Sequence, residues 1–214
     1  MKKSLLLFVA MVTGMVANAQ YENAKQVFIS PKLQEAVKTH KLVAILPFEV
    51  KMTYKKQPRD FDIETNREKE REKAYSIQSS IYTFLLRKAS KYTVEFQDVE
   101  KTNVLLKKAG MTDKLGEFTK DEIAKALNVD AVIAGKFEAE QSKSEAGAIV
   151  TTVLFGGMGS KTGSGALTMM VNDGPSGDLL WRFFKSMNDD VFSSSDELID
   201  RMMRKVSRNF PYSK

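Results

Sequence analysis

Cysteine is absent from this 214-residue sequence, and histidine and tryptophan occur once each. Without cysteine the chain has no disulfide, no thiol nucleophile and no thiolate ligand for zinc. A hydrophobic core must therefore hold the fold together. The single histidine, His40, precedes the first predicted strand, and the sequence nominates neither a nucleophile nor an orienting partner for it. We therefore expect His40 to be solvated and not to act as a catalytic base.

Concentrated charge of one sign is also lacking. The chain has 33 Lys and Arg against 27 Asp and Glu, a net charge of +6 that is spread along the sequence. A nucleic-acid-binding protein would carry a concentrated basic patch, so we expect no nucleic acid partner. The dense charge run at 67–73 mixes both signs, and it predicts the solvated start of a helix instead of a binding tail.

The amino terminus has the pattern of a secretory signal peptide. Lys2 and Lys3 precede an apolar run at 5–12, and Ala17-Asn18-Ala19 is the small-x-small pattern of a cleavage site. The alternative is a membrane anchor, but this run is shorter than the roughly 20 residues that span a bilayer. We predict a signal peptide at 1–19 and a periplasmic or secreted protein of a Gram-negative bacterium. Because cysteine is absent, we expect no lipid anchor.

Hydrophobic periodicity predicts alternating strands and helices. Continuous apolar runs predict buried core strands at 41–50 and 130–138, and Gly135 inside the second indicates a close backbone approach or a bulge. Turn residues at 172–178 predict a hairpin between strands at 166–171 and 179–184. Helical spacing, caps and a capping box at Thr119 and Glu122 predict four helices. These begin near 67, 98, 119 and 193.

Together these elements predict an α/β (α+β) fold: a mixed β-sheet flanked by helices, with a late β-hairpin and a C-terminal helix. We expect a 20–40 N-terminal extension and a single domain at 41–212. A flexible, apolar and Gly-rich insertion at 139–165 interrupts that domain. Ile45 and Ile133 are predicted to be buried on adjacent central strands.

Two motifs suggest ligands and fail on spacing. The glycines at 156–165 surround a Gly-Ser-Lys-Thr sequence, but they do not bracket four residues before the lysine as a phosphate-binding loop requires. The acids at 172–178 lack the spacing of an EF-hand calcium loop. The sequence thus nominates no catalytic residue, no cofactor and no metal ligand.

Three segments in order resemble a known family. They are VAILPF at 43–48, LNVDAVIAG at 127–135 and SGDLLW at 176–181. Together they resemble the family of the curli secretion channel subunit (CsgG-like), which shares its domain type with the TolB amino-terminal domain and with penicillin-binding-protein activator lipoproteins. The resemblance implies a periplasmic α/β domain used for assembly or protein contacts, with no catalytic residues.

Two function hypotheses remain open at this point. The first is a secreted or periplasmic, non-enzymatic envelope protein that assists assembly or secretion, or binds a protein partner or itself. The alternative is a membrane-associated or pore-forming secretion-channel subunit that contacts the membrane through the uncharged segment 146–158. This segment is long enough for one tilted strand but lacks the alternation of a barrel strand.

Overall fold

A computed structural model describes residues 26–141, 163–187 and 195–214. The predicted signal peptide at 1–19 lies outside these residues, as do the segment 146–158 and most of the insertion predicted at 139–165.

The described strands form one seven-stranded mixed sheet. Its main path runs β1-β7-β6-β5-β2-β4, and β3 pairs with β5 beyond the end of β2. The pairs β2–β4, β2–β5 and β3–β5 are parallel, whereas β5–β6, β6–β7 and β1–β7 are antiparallel. The strands are β1 Gln26–Ile29, β2 Leu42–Ile45, β3 Glu49–Tyr54, β4 Glu95–Phe96, β5 Ala131–Gln141, β6 Gly163–Asp173 and β7 Leu179–Met187.

A short break separates β2 from β3, where the sequence predicted one strand over 41–50. Ile45 pairs with Ile133 and Glu49 with Lys136, so three residues on one side oppose two on β5. Pro47 lies in this break, and its missing N–H cannot join a ladder. The Phe48 ring lies against Gly135, where a Cβ atom would overlap it. This confirms the close approach predicted at Gly135.

Five helices are present in the described ranges, and the signals that start them are local. Asp62 accepts from Thr65 N at 2.8 Å and starts α2 several residues before the predicted position. Asp98 caps α3, and Thr119 and Glu122 form the predicted capping box of α4. The helices are α1 Leu33–Thr39, α2 Ile63–Leu86, α3 Val99–Lys108, α4 Lys120–Leu127 and α5 Ser195–Val206.

Helices cover both faces of the central strands, which explains their continuous apolar sequence. The larger core lies between the sheet, α2 and α5, and the smaller core lies under α3 and α4. Ile45 and Ile133 are register partners in the larger core, and both are fully buried. The prediction for this pair is confirmed, as are the mixed α/β fold, the late hairpin and the C-terminal helix.

The structure also differs from the prediction at the N-terminal segment. The segment 20–40 was predicted as an extension outside the domain, but β1 pairs with β7 and Leu33 of α1 is buried in the larger core. Its described residues are therefore part of the same sheet and core.

Candidate binding cleft

A cleft of about 420 Å³ opens where β2 ends and β3 begins. Its walls come from this junction, from α2, from the connection between α3 and α4, and from β5. In open α/β sheets ligands commonly bind outside the carboxyl ends of the parallel strands, and β2 ends here. The lining includes Leu46, Pro47, Phe48, Glu49, Arg71, Ala74, Tyr75, Thr112, Asp113, Leu115, Gly116, Lys120, Ala134, Gly135, Lys136 and Met170.

Buried amide side chains hold α2 against the end of β2. Gln78 donates from Nε2 to the carbonyl oxygen of Ile45 at 2.7 Å and to Asn103 Oδ1 of α3 at 3.0 Å. Asn103 Nδ2 donates back to Gln78 Oε1 at 3.0 Å. These bonds fix the helix that carries Arg71 and Tyr75 relative to the cleft.

The wall of the cleft formed by the sheet and the start of α4 carries three charged side chains. Lys136 pairs with Glu49 at 2.7 Å, while the partly buried Lys120 lies at the start of α4. Burial lowers the pKa of Lys120; Glu49 opposes the shift and Lys136 adds to it. Among the residues that the structure describes, the Lys120 ammonium has no ion-pair partner or hydrogen-bond partner. This wall therefore presents one cation without a partner of its own.

The helix wall carries Arg71 and Tyr75, with Asp113 facing them. Burial raises the pKa of Tyr75, the Asp113 carboxylate adds to the rise, and Arg71 opposes it. Within the described ranges the Arg71 guanidinium has no ion pair. The hydroxyl of Thr112 is buried and has no hydrogen-bond partner there either. Arg71, whose guanidinium has no ion pair, and Thr112, whose hydroxyl has no hydrogen-bond partner, thus line the same cavity.

Sequence reasoning missed this site. Arg71 belongs to the charge run predicted to be a solvated helix start, and it is exposed, as that prediction requires. The position of Arg71 on its helix is a usable signal. Ala74 and Gln78 lie three and seven residues after it, so all three share one face of the helix. Lys120 directly follows the capping-box residue Thr119, so the sequence indicates only a helix start at this position. The arrangement can hold an anionic group beside an apolar one.

His40 is not solvated, which corrects the sequence-based expectation. Its side chain is only 2% exposed. The Nδ1 atom lies 2.8 Å from Tyr212 Oη, and Nε2 lies 3.0 Å from Asp173 Oδ1. The two partners are 172 and 133 residues away in sequence, so no local pattern indicates them. Because both ring nitrogens are engaged, His40 links the C-terminal residues to the sheet.

The aspartates around the hairpin turn form hydrogen bonds and an ion pair within the protein. Asp173 accepts from Ser176 N at 3.0 Å and Ser176 Oγ at 2.7 Å, and Lys32 Nζ lies 2.6 Å from Asp178. Burial by itself would raise the pKa of Asp173, but hydrogen bonds from Ser176 and His40 outweigh it and lower that pKa. The segment 172–178 thus forms the turn that the sequence predicted.

The described residues contain no group of three histidine, aspartate or glutamate side chains arranged to hold a metal ion. Within the same residues, no helix combines the length and the apolar character needed to cross a bilayer.

Comparisons with known proteins give structural similarity alone. No protein-family model matches the sequence, and no curated protein is similar to it. Lipoprotein GNA1162 from Neisseria meningitidis is 11% identical with a TM-score of 0.48, over 79% of this chain and 99% of its own. The PelC dodecamer subunit from Paraburkholderia phytofirmans is 12% identical with a TM-score of 0.41, over 90% and 99%.

The LpoB C-terminal domain from Salmonella enterica is 10% identical with a TM-score of 0.33, over 73% of this chain and 93% of its own. At these values the similarity assigns no function. The resemblance to the curli channel and TolB families stays a prediction from the sequence.

Proposed function

We propose that this chain is an exported, non-enzymatic envelope protein that binds a protein partner through the cleft at the β2–β3 junction. The observation that carries the proposal is a pair of cations, Arg71 and Lys120, which line a cavity together with apolar side chains and have no ion-pair partner among the described residues. Lys120 is partly buried, and a charged group that is partly removed from water is stabilised by an opposite charge supplied from outside. The side chain of His40, the one histidine of the sequence, is only 2% exposed, so it is not placed to act on a bound substrate, which supports a non-enzymatic role.

Export is the first part of the proposal. The signal peptide at 1–19 is removed, the mature chain starts at Gln20, and the protein is periplasmic or secreted without a lipid anchor. The mature chain then carries a net charge of +4, because Lys2 and Lys3 leave with the signal. Amino-terminal sequencing of protein from the envelope and culture fractions tests this. A chain that still begins at Met1 there would contradict the cleavage.

Partner binding is tested by site-specific photo-cross-linking in intact cells. A photoreactive residue replaces Leu115, which lines the cleft, or Lys107, which is exposed on α3 outside it. We expect discrete adducts from position 115 and none of the same mass from 107. The 115 adducts should disappear when Arg71→Glu and Lys120→Glu are added. No adduct from 115, or the same adducts from both positions, would refute a partner in the cleft.

A second candidate is a membrane-associated or pore-forming subunit, and one sequence observation favours it. Segment 146–158 is apolar and has no charge, and soluble proteins seldom expose such a stretch. The triple variant Val150→Ser, Val153→Ser and Leu154→Ser tests it by fractionation. Loss of membrane association would support this candidate, whereas loss of oligomer mass alone would indicate contact between subunits.

A further inference from the structure

We propose that the cleft recognises an acidic peptide segment: one carboxylate side chain together with the apolar or aromatic residue next to it. This inference rests on the proposed function and specifies the chemistry of the partner. It commits to a peptide because the cleft presents both a cationic and an apolar part.

The charge balance of the cleft favours an anion. Lys136 neutralises Glu49 at 2.7 Å, which leaves Arg71 and Lys120 against the single carboxylate of Asp113. Lys120 is partly buried, and the neighbouring Lys136 makes its charge still less favourable. A carboxylate from a partner would offset both effects, and in a partly buried cleft that interaction is screened less by salt than on an open surface.

The donors suit a carboxylate in particular. The planar guanidinium of Arg71 presents parallel N–H donors that match the two oxygens of a carboxylate. Thr112 adds a buried hydroxyl that has no hydrogen-bond partner among the described residues. Lys120, at the start of α4, adds an ammonium group, whose positive charge attracts a carboxylate in any orientation. The three residues line the cavity from three different parts of the fold.

The apolar part of the lining favours a ligand that carries an apolar group beside its carboxylate. Leu46, Pro47, Phe48, Leu115 and Met170 line the cavity beside its charged groups. At about 420 Å³ the cavity lies near the lower end of the range of about 300–1,000 Å³ for ligand sites. A side chain or two from an extended segment fits this volume.

A random heptapeptide library panned on the full mature chain tests the inference. The comparison is panning on the double variant Arg71→Gln/Lys120→Gln. A charge-matched control is Lys107→Gln/Lys108→Gln, which removes two exposed lysines of α3 that do not line the cleft. We expect the wild type and the control to enrich peptides with Asp or Glu beside an aliphatic or aromatic residue, and the cleft variant to lose them.

The enriched peptide, made synthetically, should bind the cleft variant at least ten-fold more weakly than the wild type. Its own Glu→Gln or Asp→Asn version should lose affinity similarly, while the control variant should stay within about two-fold. Thermal melting checks that the variants fold. If the double variant does not fold, Arg71→Gln alone replaces it, because Arg71 is at an exposed position. Ten-fold corresponds to about 1.4 kcal/mol.

Three outcomes would overturn the inference. One is enrichment of peptides without an acidic residue, and another is equal binding by the cleft variant. The third is no enriched peptide while inorganic phosphate shifts the amide resonances of Thr112 and Lys120, which would define a small-anion site. Failure here leaves the cross-links from position 115 unaffected, so it is distinguishable from failure of the proposed function.

Discussion

The hydrogen bond between His40 and Tyr212 can be measured by a double-mutant cycle. Tyr212 is fully buried, and its hydroxyl lies 2.8 Å from His40 Nδ1. Tyr212→Phe removes this hydroxyl with little change of shape and leaves Nδ1 buried without its partner. A buried polar group that loses its partner costs about 1–3 kcal/mol, so the free energy of unfolding should fall by that amount.

His40→Ala should cost more. It removes the bond to Tyr212 and the bond to Asp173 at 3.0 Å, and it leaves a space in the core. Asp173 keeps its bonds from Ser176, which limits the loss on that side. We expect a decrease of about 2–4 kcal/mol. The double variant should be more stable than the sum of the single effects predicts, by about 1 kcal/mol, because their shared bond can be lost only once.

Urea unfolding followed by circular dichroism measures each corner of the cycle. Tyr92→Phe is a matched control: Tyr92 is buried and, like Tyr212, packs against the ring of Phe210, but its hydroxyl has no hydrogen bond to the described residues. We expect little change for this control. If the His40 and Tyr212 effects add to within about 0.5 kcal/mol, the two side chains are not coupled, and the reasoning is wrong.

Three further predictions follow from burial and charge. Ile133→Asp places an unpaired carboxylate opposite Ile45, and the variant should fail to fold or melt far below the parent; equal melting temperatures would disprove its core position. Gly135→Ala sets a Cβ against the Phe48 ring and should destabilise by about 1–3 kcal/mol, with partial recovery on adding Phe48→Leu. The lowered pKa of Asp173 means that its contribution to stability is fully present above the ordinary value of 3.8 and is lost as the pH falls through the folded-state pKa. Urea midpoints from pH 6 to pH 2.5 should therefore fall less steeply at the acid end for Asp173→Asn than for the parent, and parallel curves would contradict this.

Local sequence signals predicted many of the elements. The capping box at Thr119 and Glu122 involves residues only three apart, so it can be recognised from the sequence without knowledge of the fold. The apolar runs around Ile45 and Ile133 indicated strands that are covered on both faces, because only such strands remain apolar throughout. The hairpin turn at 172–178 was predicted from turn residues, whose preferences act within a few residues.

The candidate sites depend on tertiary packing. Sequence patterns indicate where most elements begin, the presence of a mixed α/β sheet, and the unusual environment of Gly135. The sequence did not determine the partners of His40, which come from β6 and the C-terminus. Nor did it bring Arg71 of α2, Thr112 of the α3–α4 connection and Lys120 of α4 to one cavity. Caps and turns are short-range interactions and can be recognised in a sequence. A cleft depends on how distant segments pack, and the same exposed cation suits a solvated helix or a binding site until that packing is known.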